Sequence, residues 1–203
     1  MSILPEGDDI VAAIATPLSM MAGTASPPTL IRLTRETGDG VERWKVANIF
    51  ARTRGQLPPP VELISQMMCL LLERNQSTFY RVWLWGHHDV EIWSYDGSPQ
   101  RSFPVPTRRA RQVANLDLSD SSNDVAAGLV LRDAVSDVNG GLHLLTPPDN
   151  GHELHTIVVL DQDGRQVRIY TLDMAVGCLA IDKSGSYVGV AEETGELVRF
   201  QVP

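Results

Sequence analysis

The sequence predicts a mainly β, antiparallel fold with one buried α-helix, and three observations carry that reading. Residues 177–203 (GCLAIDKSGSYVGVAEETGELVRFQVP) alternate apolar runs with Gly- and Ser-containing turns, the pattern of three short strands in a meander. Similar short runs, many of them rich in β-branched or aromatic residues, recur through most of the chain. A single stretch, residues 61–75 (VELISQMMCLLLERN), reads as a helix, with Glu62, Ser65, Gln66 and Glu73 on one narrow polar stripe and apolar residues around the rest.

The elements follow in order. Residues 1–28 are small, apolar and punctuated by proline, an N-terminal arm with room for a short helix near 8–16. Residues 29–50 read as a hairpin around Thr37-Gly38-Asp39-Gly40, with Trp44 and Val46 on one face of the second strand and Arg43 and Lys45 on the other. The proline-rich stretch 51–60 is a linker into the helix at 61–75. Residues 78–95 read as two strands around Gly86-His87-His88-Asp89 and hold six of the chain's twelve aromatics. Residues 96–112 read as a basic loop, and 113–124 as an acidic one. Strand-like pieces at 125–132 and 141–146, a hairpin over 156–172 and the final meander complete the chain. This divides the chain into an arm (1–28), a hairpin–helix–hairpin region (29–105) and an all-β region (106–203), with the basic loop as the seam if the two regions are not one domain.

The meander gives the architecture a name. Leu179-Ala180-Ile181-Asp182, a turn at Lys183-Ser184-Gly185-Ser186, a strand from Tyr187 to Ala191, a turn at Glu192-Glu193-Thr194-Gly195 and a strand from Leu197 to Val202 resemble one blade of a WD40-like β-propeller. Residues 78–97 have a similar cadence, with Trp93 near the place of Phe200. Phe200-Gln201 replaces the Trp-Asp pair of that family, and no Gly-His pair opens the unit. A chain of 203 residues has room for four or five blades. The resemblance therefore implies either a partial propeller, whose terminal strand edges and apolar faces seek a partner protein or a second copy, or a blade-like end on another antiparallel sheet fold.

Composition excludes several functions. The formal net charge of −8 disfavours a nucleic-acid binder, which needs a basic surface against phosphate. The run at 10–25 lacks a positive leader and is broken by Pro17, so it reads as neither signal peptide nor membrane span. Two cysteines, Cys69 and Cys178, are too few for a disulfide framework and read as buried apolar residues in a cytoplasmic protein. No phosphate-binding loop, dinucleotide fingerprint or nucleophile elbow is present, and no cofactor is expected.

Two constellations could carry chemistry, and two could carry binding. His87, His88, His152 and His155, with Asp89, are the candidate metal or general-base set, and they support a hydrolase as the alternative reading. The aromatics Trp83, Trp85, Trp93 and Tyr95 suit either a sheet core or a partner surface. Arg101, Arg108, Arg109 and Arg111 form the one local excess of charge, suited to an acidic partner or a phosphate. The leading expectation is a non-enzymatic interaction module or complex subunit; a small-molecule sensor built on 29–97 is a further alternative.

Overall fold

A computed structural model describes residues 2–14, 28–38, 41–52, 64–65, 67–116, 125–148 and 155–200. Among these residues fifteen strands form four antiparallel sheets, each built from consecutive strands. Sheet 1 contains β1 (Ser2–Glu6), β2 (Asp9–Ala13), β3 (Pro28–Gly38) and β4 (Val41–Arg52). Sheet 2 contains β5 (Cys69–Asn75), β6 (Thr78–Trp83), β7 (Asp89–Ser94) and β8 (Pro99–Pro104). Sheet 3 contains β9 (Asp133–Ser136), β10 (Leu142–Thr146), β11 (Thr156–Leu160) and β12 (Gln166–Thr171). Sheet 4 contains β13 (Val176–Ile181), β14 (Tyr187–Ala191) and β15 (Leu197–Phe200). The first strand of each sheet packs beside the first strand of the next, β1 to β5 to β9 to β13. The sheets therefore fan from a shared inner edge, and among the described residues β13 and β1 do not pack together in the same way.

Side-chain alternation builds the three cores between the sheets. Along β6, Phe79 and Trp83 enter the core shared with sheet 1, while Tyr80 and Val82 enter the core shared with sheet 3. Along β11, Val158 and Leu160 face sheet 2, and Ile157 and Val159 face sheet 4. A period of two thus serves two interfaces at once. Each fully buried aliphatic side chain here contributes roughly 1.5–3 kcal/mol relative to exposure. The outer strands β8, β12 and β15 are largely exposed, as the rim of such a fan must be.

The mainly β, antiparallel class expected from sequence is the class observed, but the helix is misplaced. Cys69–Asn75, expected as the second half of a helix over 61–75, is the strand β5. Only Ile64, Ser65 and Met67 are helical there, and residues 61–63 and 66 lie outside the described residues. The reason is double-sided burial. Cys69 and Leu71 face sheet 1, and Leu70 and Leu72 pack towards sheet 3, so β5 shows a continuous apolar run that periodicity cannot tell from a buried helix. Among the described residues an α-helix, α1 (Arg108–Ala114), falls largely in the expected basic loop. Residues 2–13 are a hairpin turning at Gly7 (φ 59°) rather than an arm with a helix. The piece at 125–132 holds a 3-10 turn, Val125–Gly128, not a strand.

Candidate docking cleft

Of the two readings of the aromatics, sheet core or partner surface, the structure places them in the core. Trp83, Trp93 and Tyr95 are buried between sheets 1 and 2, and Trp85 is buried against Gly128. Packed sheets bury large rings on both faces, so the aromatics of 79–95 are spent on holding neighbouring sheets together. The His87 ring lies against the Trp83 ring, centroids 4.5 Å apart and tilted by 49°, and His88 lies 3.9 Å from its neighbour Asp89. His155 is buried with its Nδ1 against the Val176 backbone. His152 lies outside the described residues. Among the described residues no three His, Cys, Asp or Glu side chains converge as a metal site. Both cysteines are free thiols; Cys69 is buried, but Cys178, expected to be buried, is exposed on the outward face of sheet 4.

Two buried polar networks were not foreseen. The β6–β7 register sets Arg81 directly across from Glu91. Their side chains are nearly inaccessible, 3.6 Å apart, and the Trp93 Nε1–H donates to Glu91 Oε2 at 2.8 Å. The Arg81 guanidinium also lies over the Trp83 ring at 4.2 Å. Burial pushes the neighbouring Cys69 thiol above its ordinary range, partly offset by Arg81. Between sheets 3 and 4, His143 Nδ1 sits 2.6 Å from the Tyr187 hydroxyl and Nε2 sits 3.1 Å from Asp137 Oδ2. Burial works to raise the Asp137 pKa, but hydrogen bonds from His143, Gly141 and Asn139 outweigh it and hold the carboxyl below its usual range. Both imidazole nitrogens are engaged, so this network joins two sheets and presents no open base to a substrate.

The four arginines part company. Arg101 on β8 crosses to the β11–β12 turn, donating to the Asp163 carbonyl and pairing with its carboxylate at 3.6 Å. Arg108, Arg109 and Arg111 lie together on α1. Thr107 caps that helix, its hydroxyl accepting the Ala110 N–H at 3.0 Å, and Ala110 and Val113 seat it on the core between sheets 2 and 3. Arg109 donates to the carbonyls of Leu129 and Ala127 at 2.8 and 3.0 Å, tying α1 to the 3-10 turn.

These residues wall a cleft of about 470 Å³. Pro106, Thr107, Arg108, Arg109 and Arg111 form one side; Thr146, Pro147, Thr156, Val158, Gln166 and Ile169 of sheet 3 form the other. Among the described residues no carboxylate lines it. A second cleft of about 630 Å³ lies among the turns at the opposite strand ends, and there Glu73 and Asp137 outnumber Arg74. The charged side chains among the first cleft's described lining residues are therefore all arginines, on an acidic chain.

Sheet order, inner-edge packing and core placement together define a propeller-like array, and a solved structure agrees. The chain is similar to the WD40 β-propeller domain of Doa1, at 11% identity and a TM-score of 0.51, covering 95% of this chain and 46% of that one. It is also similar to the WD40 domain of Neurospora crassa Pan2, at 14% identity and a TM-score of 0.38, covering 99% of this chain and 58% of that one. The likeness to the Doa1 domain shows a fold of the WD40-propeller type, and the chain spans about half the length of these two domains. No family model matches the sequence, and no curated protein does.

Proposed function

We propose that the chain is a non-enzymatic interaction module, a subunit or scaffold element whose propeller-like array is completed by another polypeptide. The observation that carries this reading is the pair of outward sheet faces at the two ends of the fan. On sheet 1, the face opposite the core carries Ile3, Val46, Ile49 and Trp44, all exposed. On sheet 4, the outward face carries Cys178, Ala180 and the 75%-exposed Leu197. Sheet faces of this kind are elsewhere in the molecule buried against a neighbouring sheet. Contiguous exposed apolar residues beside an open strand edge favour association. A propeller-type fold and the absence of an open catalytic constellation among the described residues support the same reading, as do free thiols suited to the cytoplasm.

Light scattering on the chain recovered from its source tests this. The expected result is a particle well above 22.3 kDa, reduced by Trp44→Glu or Leu197→Glu without loss of β circular dichroism. A stable particle of monomer mass, unchanged by either substitution, would refute it.

A further inference from the structure

We propose that sheet 4 takes its fourth strand from a partner protein, an extended segment that pairs antiparallel with β15 and sets an aromatic side chain over Leu197. This rests on the interaction-module reading above and names how the partner engages. Strand count is the first argument. Sheets 1, 2 and 3 each hold four strands in consecutive order, whereas sheet 4 holds three among the described residues. There β15 pairs with β14 and with no other described strand. The backbone is the second argument. The Ala191 N–H donates to the Glu196 carbonyl at 2.9 Å, which fixes the phase of the β14–β15 ladder. Counting on from there, Val198 and Phe200 turn their backbone groups to β14, and Leu197 and Arg199 turn theirs to the open side. Backbone donors and acceptors at every second residue of a sheet edge are what an added strand recognises.

The fourth strands of the other sheets supply the third argument, because they show what the incoming strand looks like. Each turns one partly buried aromatic into the core shared with the following sheet: Phe50 of β4, Phe103 of β8 and Tyr170 of β12. Phe50 lies against Gly97 and Phe103 against Gly164, each glycine in a turn of the following sheet. Phe103 stands across from Val90, and Tyr170 across from Ile157, and both aliphatic residues are 0% exposed. Leu197 holds the matching place on β15, near the start of the third strand and on the face away from sheet 3, and it is 75% exposed. An aromatic ring over it removes that apolar surface from water. Within the described chain the strands of this character are already the fourth strands of their own sheets, so the donor is a different protein.

The test is selection of a random peptide phage library on the full chain, followed by fluorescence anisotropy and amide-resolved hydrogen exchange with the enriched peptides. Peptides carrying Phe, Tyr or Trp in an alternating pattern are expected, and their binding should slow exchange at the Leu197 and Arg199 amides. N-methylation of every second peptide amide should abolish binding in one phase and spare it in the other. L197S should weaken binding about tenfold, whereas V167S on the open edge of β12 should leave it unchanged. Should L197S melt early, the exchange and methylation results on the unaltered chain decide alone. A library that yields no binder, enriched peptides without an aromatic, protection at β4 or β12 in place of β15, or indifference to the methylation phase would each overturn the proposal. So would slow exchange at Leu197 and Arg199 in the chain without peptide, whether a second copy or the chain itself covers the edge. The particle recovered from source is read in parallel: a mass above one chain with fast exchange at these two amides sinks this proposal alone, whereas a monomer mass sinks the module reading itself.

Discussion

Arg81 and Glu91 show what single residues decide here. Both are charged, both are buried, and they lie five residues either side of Gly86, so the hairpin itself sets them opposite one another. That symmetry was open to view in the sequence; what hid it was that strands in this fold are covered on both faces, so polar positions need not point to water. Glu91→Ala leaves the Arg81 charge buried and should lower stability by about 3 kcal/mol in urea unfolding. Replacing both, as R81M/E91L, should recover most of that loss. Tyr95 responds to pH instead. Burial, with Glu73 and Glu6 nearby, pushes its pKa from 10.0 to about 12. The folded state holds the proton more tightly than the unfolded state, so its stabilising contribution is complete below pH 10 and is lost as pH rises towards 12. Burial also raises the Tyr187 pKa, which adds to the same fall. Thermal melts should drop across pH 10–12, and by less in Tyr95→Phe.

Turns are the element that repeats. Asp137, Asp161 and Asp182 each open a five-residue turn in which Oδ1 accepts backbone N–H groups two and four residues on. Glycine fills the fourth place each time, at φ 75°, 74° and 81°. Asp137 and Asp182 stand one propeller repeat apart, about 40–45 residues. The period is lost further upstream because α1 and the 3-10 turn are inserted between β8 and β9. The final meander and the 156–172 hairpin were therefore legible, whereas the whole repeat was not. The helix α1 was hidden for a different reason: its first turn is arginine-rich, and only Ala110 and Val113 mark its buried side. Of the cleft, the arginines were legible and their wall was not, since β12 comes from far along the chain. Gly185 has open space where a Cβ would go, so Gly185→Ala should cost only the strained φ, about 1 kcal/mol. Gly140→Ala sets a Cβ against the Arg74 carbonyl and should cost clearly more by the same urea assay.

At the scale of the whole molecule, one core crosses the expected seam. Tyr80 and Ile92 from before residue 106 pack with Leu144 and Leu160 from after it. The division between 29–105 and 106–203 remains a proposal that calorimetry decides: a single transition with matching van't Hoff enthalpy denotes one unit, and two transitions denote separable regions. The larger consequence concerns the ends of the fan. A closed propeller covers every sheet face, whereas among the described residues sheets 1 and 4 each carry exposed apolar side chains on one face, and β4 and β15 each pair with a described strand on one side alone. Hydrogen–deuterium exchange compares these edges in the isolated chain and in the particle recovered from its source. Slow exchange of β4 and β15 in the native particle and fast exchange in the isolated chain is the predicted result; equal rates in the two preparations would contradict completion by another polypeptide.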